Sequence, residues 1–274
     1  MAKFNRRTWF FPCSDLQIGS ASPRPPVKSA FPDSRLVLFP GLGGDARMYG
    51  ELAARVGPIV VPPWLPPELS SNGRDLRAYA QRYVDQRLVR PGDWLGGSSF
   101  GGMLAQEIAG LIPVRGLLLM GTCRSAAGVS FGLRQLAPLM KVVPMPDHGA
   151  HVLAWLLALK FGVTRPAHRQ LLAALIDDAD PRFLRWASQV AAAWPGIKEP
   201  GTKALSLPLF QIHGSRDHLM PVERSGAETI VHGAGHLLAL THAPQVATWM
   251  LHALTKTATT DRTQSTREPE QRMS

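Results

Sequence analysis

Trp94-Leu95-Gly96-Gly97-Ser98-Ser99-Phe100-Gly101-Gly102-Met103-Leu104 is the stretch on which the reading of this chain turns. It opens on a short apolar step, runs through a glycine-rich segment at 96–102, and continues into Met103, Leu104, Ile108 and Leu111 before stopping at Pro113. The spacing predicts a strand, a tight turn and a helix opening at Met103. Inside it lies Gly97-Ser98-Ser99-Phe100-Gly101, a G-x-S-x-G pattern centred on Ser99. A sharp strand-to-helix turn brings neighbouring backbone close on both sides, so small residues are needed two positions before and after the centre. Gly97 and Gly101 satisfy that need, whereas Ser98 has Phe100 at the corresponding place.

Outward from this turn, other short apolar runs end at Gly or Pro: Leu36 to Phe39 before Pro40-Gly41, Leu117 to Met120 before Gly121, and Leu207 to Ile212 before His213-Gly214. Ile59-Val60-Val61 and Glu228 to Val231 read as further short strands. Strands apolar on both faces are those of a parallel sheet covered by helices. Helical stripes lie between them: Leu76, Tyr79, Ala80, Tyr83, Val84 and Leu88 after a cap at Asn72, and Val246, Trp249, Met250, Ala253 and Leu254 after Pro244. The expected fold class is therefore α/β, a mostly parallel central sheet flanked by helices.

One long stretch breaks the alternation. Residues 124–203 carry helical patterns at His151 to Phe161, Arg169 to Ile176 and Pro181 to Trp194, with no clear strand. They read as a helical cap inserted into a core made of 35–123 and 204–254. Residues 1–34, rich in Ser, Pro and basic residues, read as a mobile lead-in, and 255–274 as a disordered tail.

Composition narrows the possible functions. The 274 residues include two cysteines, Cys13 and Cys123, too few for a disulfide framework or a Cys-rich zinc site. No apolar run approaches the roughly 18 residues of a membrane span. The apolar burst Trp9-Phe10-Phe11 ends too early for a secretory signal, and the expected location is cytoplasmic. The net charge of +10 is not accompanied by any nucleic-acid-binding fingerprint. His218, His232, His236 and His242 lack a metal-ligand spacing, so no metal and no other cofactor is expected. Within the folded middle the basic excess sits in 124–203, with ten Lys/Arg against five Asp/Glu. Such a surface would attract an anionic substrate, or an acidic carrier protein presenting an acyl ester or thioester.

A serine at its free pKa is a poor nucleophile and needs a base, which in turn needs an orienting acid. His213-Gly214-Ser215-Arg216-Asp217 puts a carboxylate just past a strand end, and Gly233-Ala234-Gly235-His236 puts a histidine on a glycine-rich loop. Taken singly, Ser99 also reads as a helix cap, Asp217 as a turn cap and His236 as a packed loop residue. His213 reads as a residue that shapes its loop, and Asp45 and Arg47 as residues of a pocket rim or of the open surface.

Together with Phe39-Pro40-Gly41-Leu42-Gly43-Gly44, these motifs fall in an order that resembles the α/β-hydrolase superfamily, its lid-bearing esterase-like branch, over about Leu36 to Leu254. Many members carry His-Gly where this chain has Pro40-Gly41. The resemblance implies Ser99 as nucleophile, His236 as general base and Asp217 as its orienter. It implies an oxyanion hole from the backbone N–H groups of Leu42 and Phe100, and a cap over the site at 124–203. Some members keep the acid after the earlier strand, but Gly121 to Gly128 contains no Asp or Glu, which favours Asp217. The implied activity is hydrolysis of carboxylic esters on a small molecule through an acyl-enzyme, with a rate that rises as His236 loses its proton. A thioesterase, an acyl-carrier-linked ester hydrolase, a C–C hydrolase, a lyase of the same fold and a non-catalytic ligand-binding protein remain as alternatives.

Overall fold

The structure is a computed structural model, and it describes residues 29–31, 34–67, 75–125, 128, 158, 160–197 and 207–267. Five short strands form one parallel sheet in the order β1 (Leu36–Phe39), β2 (Trp94–Ser98), β3 (Gly116–Met120), β4 (Leu209–Gly214) and β5 (Thr229–Val231). The first three are buried along their whole length, as continuous apolar strands covered on both faces must be. Between the strands run α1 (Gly50–Val56), α2 (Leu76–Asp85) and α3 (Phe100–Ala109). Two longer helices, α4 (Pro166–Asp178) and α5 (Pro181–Ala193), follow β3, and α6 (Leu238–Thr241) and α7 (Ala243–Arg267) follow β5. No helix among the described residues is long and apolar enough to cross a membrane.

The sheet separates two apolar layers. On one side Phe39, Leu95, Phe100, Met103, Leu104 and Leu117 pack with α2 and with Phe183, Trp186 and Val190 of α5. On the other, Leu36, Leu38, Trp94, Leu118 and Ile212 pack with α1 and with Val246, Trp249 and Met250 of α7. Helix α5 is thus an amphipathic element that shares the main core, while Leu172 and Ile176 of α4 pack in a separate small cluster with Ala158 and Val163. Phe183 stacks on Trp64 with ring centroids 4.8 Å apart, and Trp186 lies 4.5 Å from Tyr79. The helical pattern at 151–161 lies outside the described residues except at 158, 160 and 161.

Local chemistry accounts for the departures from the sequence reading. Helix α3 begins at Phe100, not Met103, because the chain turns on one residue and then needs Gly101 and Gly102 inside the helix. Helix α2 is capped by Asp75, whose carboxylate accepts from the Arg77 N–H at 2.8 Å, and Asn72 lies outside the described residues. Ile59-Val60-Val61 does not make a strand. Val60 alone bridges to Val37, because Pro58, Pro62 and Pro63 have no N–H for a ladder.

Both proposed termini are shorter than expected. Phe31 is buried edge-on against Trp94 at 6.0 Å, so the end of the lead-in belongs to the core. Helix α7 runs to Arg267, past the expected limit at Leu254, and buries Thr257. Once the amphipathic part of that helix is anchored, extension fixes one residue per hydrogen bond. The next proline or glycine is Pro269.

Candidate active site

The site lies at the C-terminal ends of β2, β4 and β5. Ser99 sits on the single residue between β2 and α3, with φ 53° and ψ −122°, a conformation unfavourable for a side chain with a Cβ. Its N–H donates to the Met120 carbonyl at 3.1 Å. Its own carbonyl accepts from the Thr122 hydroxyl at 2.7 Å and from the Gly102 N–H at 3.0 Å. The flanking glycines are sterically required. A Cβ on Gly101 would run into the carbonyls of Phe39 and Pro40, and one on Gly97 would lie 2.6 Å from the Gly101 carbonyl carbon and the Phe39 oxygen. The turn therefore crosses directly over the end of β1, which holds the serine above the sheet.

Asp217 follows β4. One carboxylate oxygen accepts from the N–H groups of Leu219 and Met220, both at 2.9 Å, which fixes the loop as an Asx-type turn. The other oxygen lies 2.8 Å from Nδ1 of His236 and 3.1 Å from Nε2 of His213. Burial alone would raise this carboxyl. The neighbouring His236 charge, the hydrogen bonds from both histidines and the Met220 N–H outweigh it and hold Asp217 well below the usual carboxylate range.

His236, on the loop after β5, completes the line with Nε2 2.9 Å from the Ser99 hydroxyl. An ionised Asp217 only accepts, so Nδ1 of His236 carries the proton and Nε2 offers its lone pair to Ser99. All three residues are under one-tenth exposed. The loops bearing His236 and Asp217 touch through backbone: a Cβ on Gly214 would strike the carbonyls of Ala234 and Gly235. From the insertion, Phe161 sets its ring 5.3 Å from the imidazole and its carbonyl against Gly235.

The Pro40–Gly44 turn passes beside the serine. A Cβ on Gly41 would lie 3.6 Å from that of Ser99, and Gly44 closes the turn with its N–H on the Gly41 carbonyl at 2.8 Å. Phe100 is the first residue of α3, so its N–H has no acceptor within the helix. Leu42, which lies inside the turn, is half-buried against the core. Leu184 of α5 covers Gly43.

Asp45 caps the short 3-10 turn Ala46–Tyr49 and binds Arg47, which reaches Asp178 of α4 at 2.7 Å. These residues tie the turn to the insertion. Asp45 also lines a cavity of about 410 Å³ with Gly43, Gly44, Trp64, Asp178 and Phe183.

Several supporting groups carry no sequence signal of their own. Gln106 donates to the carbonyls of Gly102 and Cys123 at 3.1 and 3.0 Å. Gln211 donates to those of Thr122 and Ser225 at 2.8 and 3.0 Å. These buried amides pin the segment after β3, from which the Thr122 hydroxyl holds Ser99. Their positions in α3 and β4 predict burial, but their partners depend on strand register. Trp194, at the end of α5, donates to the buried Glu107 of α3 at 2.7 Å.

Comparison with known proteins agrees with this architecture. Residues 36–249 match the model of the Alpha/beta hydrolase family. No curated protein matches the chain in sequence. Among solved structures it is similar to a thermophilic esterase from Thermogutta terrifontis, with TM-score 0.64 and 18% identity over 82% of this chain and 90% of that one. It is similar to an esterase from Exiguobacterium antarcticum, with TM-score 0.60 and 15% identity over 81% and 92% of the two chains. A bromoperoxidase from Bacillus anthracis is as similar, with TM-score 0.60 and 16% identity over 81% and 92%. At such identities the likeness shows the fold alone, whereas the family model spans most of the sequence. The chain belongs to the alpha/beta hydrolase family.

Proposed function

We propose that the chain is a serine hydrolase of carboxylic esters. The observation that carries this reading is the unbroken line from the Ser99 hydroxyl through His236 to Asp217, at 2.9 and 2.8 Å, mounted on a strained turn. Two esterases among the structural neighbours support the ester as the bond attacked. Ser99 Oγ attacks the substrate carbonyl as Nε2 of His236 takes the hydroxyl proton. Asp217, ionised and held by three hydrogen bonds, with His213 3.1 Å away, stabilises the imidazolium without taking its proton. The developing oxyanion rests on the N–H groups of Leu42 and Phe100, each such donor typically worth about 2.7–4 kcal/mol. The imidazolium protonates the departing alkoxide, and a water activated by His236 then releases the acid. Residues 124–203 act as the cap, with Phe161 shielding the imidazole and Leu184 covering the oxyanion turn.

Labelling with a fluorophosphonate followed by peptide mapping tests the assignment. Modification confined to Ser99 and absent from Ser99→Ala is the expected result. A folded protein that stays unlabelled, or is labelled elsewhere, would overturn it. Matched oxygen and sulfur esters of one acyl group then separate esterase from thioesterase by their kcat/KM ratio.

A further inference from the structure

A second histidine bears on the same carboxylate oxygen as His236, and the scheme above gives it no role. His213 lies at the inner end of β4 and is completely buried. Its Nε2 faces the Met220 carbonyl at 2.7 Å and the Asp217 carboxylate at 3.1 Å, while its Nδ1 has no hydrogen-bond partner among the described residues. Both atoms facing Nε2 only accept, so Nε2 carries the ring proton, which bonds the Met220 carbonyl with the carboxylate beside it.

One oxygen of Asp217 receives two backbone N–H groups, and the other receives the His236 N–H and lies 3.1 Å from Nε2 of His213. A carboxylate bound on both oxygens cannot rotate about its terminal bond, and the direction of its bond to His236 is fixed. Burying an imidazole with one nitrogen unpaired costs stability that a leucine of similar size would not. What a hydrocarbon could not supply is the N–H on Asp217. The titratable groups facing this carboxylate are His236 from the loop after β5, His213 from β4 and the Cys123 thiol from the segment after β3. Burial pushes that thiol up to about 11, so it stays neutral beside Asp217.

We propose that His213 is a positioning residue of the active site: its Nε2–H, 3.1 Å from the Asp217 carboxylate, steadies it and draws off part of the charge that Asp217 presents to His236. The inference rests on Ser99, His236 and Asp217 acting as a triad. Without this donor, Asp217 would hold the His236 imidazolium more strongly and point less steadily. Both effects act on the reaction of Ser99, in opposite parts of the pH range.

The test is the rate of Ser99 phosphonylation by a fluorophosphonate across pH, on the full chain, in the wild type, His213→Leu and His213→Gln. Glutamine places an N–H donor at nearly the reach of Nε2. The leucine variant is expected to lose about 10- to 100-fold at the plateau. Its acid limb should move to higher pH by about half a unit. His213→Gln should restore the limb and most of the rate. A leucine variant with the wild-type limb and plateau would overturn the proposal, and so would a glutamine variant that behaves as the leucine one.

Nitrogen NMR of histidine-labelled protein reads the same proposal without catalysis. An Nε2 proton of His213 whose resonance shifts in Asp217→Asn supports it; a proton on Nδ1, or an Nε2 proton indifferent to that substitution, overturns it. A wild type that is not labelled at Ser99 would overturn the triad reading instead, while the NMR result would still decide whether His213 donates to Asp217.

Discussion

At the residue scale the site depends on how Asp217 is held. Replacing it with asparagine keeps the shape but removes the charge that fixes the tautomer of His236, and kcat should fall by about 10⁴-fold. Steady-state kinetics on an activated ester checks this, and a loss below tenfold would contradict it. The same carboxylate has a stability signature. Its folded value lies below its unfolded one, so its contribution is fully present above the unfolded value and is lost as pH falls through the folded one. The stability gap between wild type and Asp217→Asn should therefore be widest near neutrality and should narrow as pH drops below about 4. Urea denaturation at several pH values reads the gap. Thr122→Val removes the hydroxyl that binds the Ser99 carbonyl at 2.7 Å and should cost about 1 kcal/mol, because the Gly102 N–H still serves that oxygen.

At the element scale, the turn between β2 and α3 works only while α3 can lie against the end of β1. Gly101→Ala would drive a methyl group into the carbonyls of Phe39 and Pro40, both backbone, so relief requires moving the helix start itself. A loss of about 1–3 kcal/mol is expected, accompanied by slower labelling of Ser99. Thermal denaturation and labelling rates measure the two effects separately.

The seam between α3 and the insertion behaves differently. Glu107 is buried, and this desolvation raises its carboxyl despite the bond from Trp194 and the nearby Arg77. An acid raised on folding favours the folded state least where it is ionised. Glu107→Gln, which keeps an acceptor for the indole N–H, should therefore stabilise the protein at pH 7 and lose that advantage below about pH 4. Denaturant midpoints at the two pH values decide it.

At the scale of the whole molecule, the folded unit extends beyond the stretch of sequence that looks periodic. Phe31→Ala empties a buried site against Trp94 and should destabilise by about 3–5 kcal/mol, visible in the denaturant midpoint. The order of elements, the parallel sheet, the Ser99 turn and the chain order of Ser99, Asp217 and His236 could all be read from the sequence. Each is encoded locally, by apolar runs broken at glycine or proline and by motifs whose order along the chain is distinctive where the single residues are not. The exact start of α3, the failure of Ile59-Val60-Val61 to become a strand and the length of α7 could not. There proline placement, close backbone contacts and anchoring against other elements outweighed propensity.

His213 shows the same division. From sequence it is one histidine near a strand end. Only the packing of β4 beside β5 brings its Nε2 and Nδ1 of His236 to one carboxylate. Local sequence determined which groups the chain carries and in what order. The tertiary structure decided which of them meet, because hydrogen bonds between residues distant in sequence form only after register and layer packing have brought them within about 3 Å.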